Sequence, residues 1–280
     1  MTASSWIDLR HDAQTGIESL HAHFEGHAYD PHWHDSYLIG YTQQGIQQFH
    51  CRRSVHSSTP GQVFMLEPGE IHDGRAVAPD GFTYASLMLD PQWIERELRA
   101  VFAEAPEHCL PGFASTLQRD PRLTAAVVQA HRAAHEPSSR MDRQSAFDTL
   151  LIRLTAHLQW RQRTTGDPRL PLAAARARDY LHDHLGDDVG LDDLAAAAGV
   201  DRFRLTRAFK AAFGLAPHAY LVQMRLAHAR RLLAAGVTPV DTAAALGFAD
   251  QSHLGRWFRR AYGLTPAAYR QRCSNVPDIG

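Results

Sequence analysis

Apolar side chains recur every four residues in two segments near the carboxyl end of the chain, namely Leu205, Phe209, Phe213 and then Leu254, Phe258, Tyr262. This interval places each set on one face of a helix, so both segments predict amphipathic helices. Asp201 and Asp250 precede them, and a short carboxylate there accepts from the first free N–H groups of a helix. Gly214 and Gly263 follow, where a left-handed residue commonly ends a helix.

The two segments belong to a longer repeat. Residues 209–220 and 258–269 align without a gap and start 49 residues apart, with phenylalanine, glycine, leucine, proline and tyrosine at matching positions. A repeat of this period usually marks a duplicated supersecondary unit.

A short alanine-rich helix is predicted before each capped helix, over 191–198 with Gly199 and over 239–246 with Gly247. Short helix, glycine turn and capped helix together form the helix-turn-helix pattern. A connecting helix over 218–234 would be about 25 Å long. That length would hold the two patterns apart for successive major grooves, which recur about every 34 Å along DNA. The alternative is an all-helical domain with an internal duplication and no role in DNA binding.

Residues 5–90 show a different pattern, with short runs rich in β-forming residues. The predicted strands are Tyr37–Thr42, Ile46–Cys51, Gln62–Glu67 and Phe82–Leu89. Gly45 and the Pro68-Gly69 pair supply turns between them. Many short strands at this spacing indicate a small antiparallel barrel or sandwich. Three helices are expected to follow, over residues 91–104, 121–136 and 143–163.

Three histidines fall on the predicted barrel. His32 and His34 are two residues apart, so their side chains face the same side of an extended chain, and His72 follows the Pro68-Gly69 turn. Three imidazoles with an open position are adequate ligands for zinc or a similar ion. Two alternatives stay open, because these histidines could instead be core positions without a ligand or could line an organic-ligand pocket with Trp33, Tyr37, Glu67 and Glu70.

The helix predicted over 143–163 carries an apolar stripe that includes Leu151, Leu154 and Leu158. Its heptad spacing is that of a short coiled-coil seam. The stripe either covers the barrel or pairs two subunits, and both interpretations stay open. A polar, turn-forming run at 164–168 separates two expected domains, 1–165 and 173–273.

Charge divides the chain in the same way. The net charge is −1, but residues 1–172 have a balance of −5 and residues 173–280 a balance of +4. A basic second part suits the binding of phosphates. The sequence contains no apolar run of membrane-helix length, and its first 20 residues are too polar for a signal peptide. Three scattered cysteines indicate free thiols in a reducing compartment.

Residues 173–272 resemble the DNA-binding domain of the AraC/XylS family of bacterial transcription regulators. The motifs that carry the resemblance lie at Leu191–Gly199, Phe203–Lys210, Arg225–Leu233 and Gly247–Arg259. The Gly-Phe-Ala-Asp-Gln-Ser-His run at 247–253 is the most specific of them. The resemblance implies two recognition helices, whose DNA-contacting positions are Arg202, Phe203, Thr206 and Arg207, then Gln251, Ser252, His253 and Arg256.

Sensory domains of this family are cupin-like barrels, and the histidine pattern resembles the cupin motifs with one departure. Leu38 stands where the metal-binding cupin pattern has a glutamate. This departure argues against a cupin-type enzyme with an accessory helical tail. The resemblance implies an α+β protein, in which a cupin-like β-barrel with flanking dimerisation helices precedes an all-α domain with two helix-turn-helix motifs.

The expected function is a ligand-responsive, sequence-specific transcription regulator that is not an enzyme and that acts as an activator, the commoner mode in this family. Its expected partners are double-stranded DNA, a small-molecule effector, RNA polymerase and a second copy of the chain. A zinc-like divalent metal in the barrel is the one cofactor considered. The expected location is the bacterial cytoplasm, in association with the nucleoid.

Overall fold

A computed structural model describes residues 5–12, 15–101, 109–162 and 171–274. The chain divides into two compact units, the first reaching residue 162 of the described chain and the second covering 171–274. The turn-forming run at 164–168 lies outside the described residues. Within the described ranges, no helix is long and apolar enough to cross a membrane.

Antiparallel strands dominate the first unit. They are β1 (Trp6–His11), β2 (Glu18–Phe24), β3 (His27–His32), β4 (Tyr37–Gly45), β5 (Gln47–Cys51), β6 (Ser54–Ser58), β7 (Val63–Leu66), β8 (His72–Ala76), β9 (Phe82–Leu89), β10 (Cys109–Phe113), β11 (Leu117–Gln118) and β12 (Leu158–Gln162). One sheet has the order β1-β2-β9-β4-β7-β11, a second has the order β3-β8-β5-β6, and β10 pairs with β12. The four predicted strands correspond to β4, β5, β7 and β9, which confirms the sheet-rich first part of the fold class.

Alternation along β4 separates the two faces of the larger sheet. Tyr37, Ile39 and Tyr41 join a buried apolar cluster on one face. Leu38 and Gly40 lie on the opposite face, because successive side chains of a strand point to opposite sides. Only every second residue of β4, the set that includes Leu38 and Gly40, can therefore approach a site between the two sheets.

The opposite face meets the smaller sheet across an aromatic interior. The hydroxyl groups of Tyr29 on β3 and Tyr84 on β9 are 2.8 Å apart, and the rings of Phe49 on β5 and Phe64 on β7 lie 6.3 Å apart. Burial raises the pKa of both tyrosines. Close-packed rings are typical of a protein interior, so this space is a second core.

Three helices cover the first face, namely α1 (Pro91–Val101), α2 (Pro121–His135) and α3 (Arg140–Leu154). Asp120 accepts the N–H of Arg122 at the start of α2 at 2.8 Å, and Ser139 accepts the N–H of Asp142 at the start of α3 at 3.1 Å. Such caps satisfy N–H groups that have no partner inside a helix. The apolar sides of the helices complete the buried cluster of the sheet.

The helix predicted over 143–163 is wrong in its last part. Helix α3 ends at Leu154, a single 3-10 turn follows at Thr155–His157, and Leu158 begins β12. Strand β12 pairs with β10, where Leu158 lies opposite Phe113. This pairing provides hydrogen-bond partners for the backbone groups of both strands. The heptad spacing of the leucines gave no sign of it.

The dimerisation seam expected from Leu151, Leu154 and Leu158 is corrected for the same reason. Leu151 and Leu154 are buried in the unit's own apolar cluster, and Leu158 packs against that cluster from β12 rather than from a helix. The stripe therefore covers the sheet, which is the first of the two interpretations. Leu151 and Leu154 are buried within this unit and Leu158 is half-buried, so the three leucines do not form the exposed helical seam that the prediction required.

The second unit is helical in its described residues. Its helices are α4 (Leu172–Asp183), α5 (Leu191–Ala198), α6 (Arg202–Phe213), α7 (Pro217–Ala234), α8 (Pro239–Ala245), α9 (Gln251–Tyr262) and α10 (Pro266–Ser274). Asp201 and Asp250 accept N–H bonds at the starts of α6 and α9. Gly214 and Gly263 end these helices with φ of 74° and 70°. The two predicted helix-turn-helix patterns, α5–α6 and α8–α9, are confirmed.

Candidate nucleic-acid interface and histidine cluster

Helix α6 turns an apolar face inward and a basic face outward. Leu205 and Phe209 are fully buried, which orients the other side of the helix toward solvent. The exposed basic residues of α6 are Arg202, Arg204, Arg207 and Lys210. The helix contains no acidic residue, so nothing on it neutralises this charge. Basic side chains on such a helix are the groups that contact phosphates and base edges of DNA.

Phe203 is 68% exposed in the first turn of α6. The guanidinium of Arg202 lies 5.2 Å from the centre of its ring, and both side chains line a surface pocket with Leu191, Thr206 and Arg207. The hydroxyl of Thr206 donates to the carbonyl oxygen of Arg202 at 2.8 Å. The four predicted residues of this helix therefore form one surface, in which an apolar ring suits a thymine methyl group and arginine suits guanine.

Helix α9 repeats this arrangement. Leu254 and Phe258 are fully buried, while Arg256, Arg259 and Arg260 are exposed on a helix without acidic residues. The three arginines line a second surface pocket. Helices α6 and α9 thus each expose an arginine, Arg207 or Arg256, two residues before a buried phenylalanine.

The first turn of α9 holds the other predicted contacts. Gln251 and Ser252 are exposed. His253 is only partly exposed, because the indole N–H of Trp257 donates to its Nε2 at 2.9 Å and the edge of Phe248 packs against its ring at 5.5 Å between centroids. His253 therefore positions Trp257 on the helix surface. Sequence reasoning missed Trp257, although its spacing of four residues from His253 was the available signal.

Arg225 on α7 is a buried charge that sequence reasoning did not single out. Its guanidinium donates to the carbonyl oxygens of Leu185 at 2.8 Å, Asp187 at 2.7 Å and Gly247 at 2.7 Å. The first two acceptors lie between α4 and α5 and the third lies between α8 and α9, so one side chain ties both helix-turn-helix patterns to α7. Burial lowers the pKa of Arg225, and Asp188 opposes that shift.

The three predicted histidines come together in the first unit. His32, His34 and His72 are buried, and a ring nitrogen of each lies within 4.8 Å of the others. Pairing of β3 with β8 places His32 opposite His72, and the N–H of Gly69 donates to the carbonyl oxygen of His34 at 2.8 Å. Backbone hydrogen bonds therefore hold both segments in place.

Backbone carbonyls also orient two of the rings. The Nδ1–H of His32 donates to the carbonyl oxygen of Asp30, and that of His72 donates to the carbonyl oxygen of Glu70, each at 2.8 Å. Because a carbonyl only accepts, Nδ1 holds the proton in both rings, and Nε2 carries the lone pair when the ring is neutral. Burial lowers the pKa of His72, which favours the neutral ring.

The other predicted effector residues do not all converge on the histidines. Tyr37 lies on the helix-covered face of the larger sheet, so its expected place in the pocket is corrected. Glu67 lies 2.5 Å from a guanidinium nitrogen of Arg52 and 2.8 Å from one of Arg161. These two ion pairs occupy its carboxylate. Trp33 is half-buried between two of the histidines in the chain.

Two family models match the chain, one described as the AraC-like ligand binding domain over residues 14–151 and one as a helix-turn-helix domain over residues 194–272. The chain belongs to the AraC/XylS family of transcription regulators. For this AraC-type protein, the two domains together indicate a ligand-responsive, DNA-binding transcription regulator, a class that is typically non-enzymatic.

Individual proteins agree with this assignment. The uncharacterized HTH-type transcriptional regulator YbfI from Bacillus subtilis (strain 168) is 26% identical over 212 residues, which cover 76% of each chain. The crystal structure of ToxT from Vibrio cholerae O395 has a TM-score of 0.55 and 11% identity, over 93% of this chain and 99% of ToxT. ToxT from strain SCE256 with a bound unsaturated fatty acid has a TM-score of 0.56 and 12% identity, over 98% and 95% of the two chains. At such identities the solved structures establish the shared fold.

Proposed function

We propose that this AraC-type regulator reads a specific operator by placing α6 and α9 in successive major grooves of double-stranded DNA. The observation that carries the proposal is the duplication of a capped helix that buries one face and exposes arginine on the other. Helix α7, with 18 residues, connects the two patterns. Two recognition helices joined by one rigid helix would recognise two short blocks of base sequence on the same side of the DNA duplex.

We assign the contacts with base edges to Arg207 and Arg256, because these two arginines occupy the same position of the 49-residue repeat. Arginine bonded to guanine through two hydrogen bonds is the commonest specific contact in the major groove. The other basic residues of the two helices are assigned to phosphates, which position the protein without reading sequence. Substituting a phosphate-contacting residue should weaken binding to all sequences alike, whereas substituting a base-reading residue should relax specificity at one position.

The proposal extends to the finer features that the family resemblance implies. The regulator would work in the cytoplasm as a homodimer, and ligand binding in the first unit would change its action at a promoter. Activation through RNA polymerase is the mode that we propose. Each of these steps depends on the reading of a specific operator, which is therefore the step to test first.

Selection from a random library of double-stranded DNA should yield a motif with two blocks about one helical turn apart. Arg207→Ala should lose discrimination in one block and Arg256→Ala in the other, by about 1–3 kcal/mol or roughly 5- to 150-fold for the preferred base. Arg153→Ala removes an exposed arginine from α3 in the first unit and serves as the charge control that keeps both blocks. A motif that neither recognition-helix variant changes would contradict the proposal.

A further inference from the structure

We infer that His32, His34 and His72 form a binding site for a divalent transition-metal ion, and that this ion is the ligand to which the regulator responds. The site itself stands on the geometry of the first unit. The response rests on the proposed function, because it is measured as a change in operator affinity. The two parts are therefore tested separately.

The donor set suits such an ion. Neutral imidazole nitrogen is a ligand for zinc, copper, nickel and iron, and three imidazoles form a known type of zinc site with an open position. The three ring nitrogens already lie within 4.8 Å of one another. A single ion can bind all three after small side-chain rotations.

Two of the rings make the kind of hydrogen bond that histidine ligands of metal ions usually make through their second nitrogen. The carbonyl oxygens of Asp30 and Glu70 accept the Nδ1–H groups of His32 and His72. A carbonyl on the far nitrogen fixes the tautomer, orients the ring and increases the basicity of the nitrogen that binds the metal. Because β3 and β8 pair directly at His32 and His72, little chain entropy is lost when the ligands are brought together.

Among the described residues, the potential ligands that converge here are three imidazoles and no carboxylate, in line with the departure at Leu38. Leu38 lies on the interior side of β4 by strand alternation, where it supplies no oxygen ligand. Three neutral ligands keep the full positive charge of a divalent ion and an open coordination position. Water or a small anion can occupy that position.

Aromatic packing favours an ion over an organic effector next to these histidines. The ring of His32 lies 5.4 Å from that of Tyr29, and Tyr29 is packed against Phe24 at 4.8 Å between centroids. Tyr84 bonds to Tyr29 through its hydroxyl and packs against Phe64 at 5.8 Å. An organic molecule placed on this side of His32 would have to displace these rings, whereas an ion would need only the space between the three ring nitrogens.

The site is tested on the full chain, purified without a polyhistidine tag and stripped with a chelator. Titration with Co²⁺, followed by visible absorption and elemental analysis, should show one ion per chain with nitrogen ligands. His34→Ala and His72→Ala should each weaken this binding by roughly 100-fold or more, because even loss of an outer partner costs 10–100-fold. His27 lies on β3 with His32, but its side chain is 66% exposed, so His27→Ala should bind like the wild type.

The control matters because the chain contains 18 histidines, and exposed ones can bind metal weakly. Should a ligand variant fail to fold, X-ray absorption of the zinc-loaded wild type gives the answer without mutation. It should show about three nitrogen donors at about 2.0–2.1 Å. Equal Co²⁺ binding by wild type and folded His34→Ala, or a zinc spectrum without imidazole, would overturn the site.

The response is tested by fluorescence anisotropy on the selected operator, with added Zn²⁺ or with chelator. Typical coupling between two ligand sites is about 5- to 150-fold, so wild type and His27→Ala should change operator affinity within that range and His34→Ala should not. Metal bound at the histidines with unchanged operator affinity would overturn the sensing role. A chain that selects no operator in either state would instead refute the proposed function, while the Co²⁺ titration would still decide the metal site.

Discussion

Replacing Arg225 by lysine tests whether one buried side chain holds the two helix-turn-helix patterns together. Lysine keeps the positive charge but replaces a planar fork of donors by a single ammonium group. That group cannot reach acceptors that lie before α5 and between α8 and α9 at the same time. The substitution therefore separates the geometry of the donor from its charge.

The magnitude follows from the three acceptors. The carbonyl oxygen of Asp187 keeps a bond from the N–H of Val189 at 3.1 Å, so the carbonyls of Leu185 and Gly247 decide the outcome. A hydrogen bond to a charged group contributes about 1.5–3 kcal/mol. Loss of one or two such bonds should lower the free energy of unfolding of the second unit by about 2–5 kcal/mol.

Urea unfolding followed by far-ultraviolet circular dichroism reports mainly on this unit, because seven of the ten described α-helices lie in it. Arg225→Lys should shift its transition to lower urea, whereas Arg231→Lys, exposed on the same helix, should not. Operator affinity of Arg225→Lys should also fall, since Gly247 lies just before α9. A transition at the wild-type urea concentration would refute the reasoning about Arg225.

Two further predictions concern the first unit. Gly40→Ala should destabilise it by about 1–3 kcal/mol, because the added Cβ would lie 2.6 Å from the carbonyl oxygen of Ala85, while Gly74→Ala meets its nearest neighbour at 3.4 Å and should change little. Similar melting temperatures for the two variants would contradict the packed interior. The pKa of His131 is lowered to about 4 from 6.5, first by burial and then by the charge of His135. Between these values the unfolded chain binds a proton that the folded chain does not, so stability should fall as the pH drops, by about 2 kcal/mol at pH 5. His131→Gln should weaken this pH dependence in urea unfolding, and an unchanged slope would show that other groups cause it.

Local signals explain why the recognition helices were predictable. Asp201, Asp250, Gly214 and Gly263 act within one turn of the helix that each of them starts or ends. The buried stripes of α6 and α9 need only the period of the helix. The histidine cluster was also predictable, since a spacing of two residues and one turn brings its members to the same side.

Non-local contacts explain the errors. The heptad pattern runs on through Leu158, but pairing with β10 turns that residue into the start of a strand. Alternation along β4 shows that Tyr37 and Leu38 face opposite sides, yet it does not show which side holds the histidines. Arg225 binds carbonyls 40, 38 and 22 residues away, and no local pattern reports such partners.

The claim that α6 and α9 bind two blocks of one operator together is tested most directly by changing the spacing between those blocks and measuring the affinity. Inserting five base pairs between the blocks turns one of them by about half a turn of DNA, and α7, about 27 Å long by its rise per residue, cannot follow that rotation. Affinity should fall by about 30-fold or more, since each lost base contact costs about 1–3 kcal/mol. Substituting the spacer bases without an insertion should leave the affinity within a few-fold of that for the unaltered operator. Unchanged affinity after the insertion would contradict the claim that α6 and α9 read two successive grooves together.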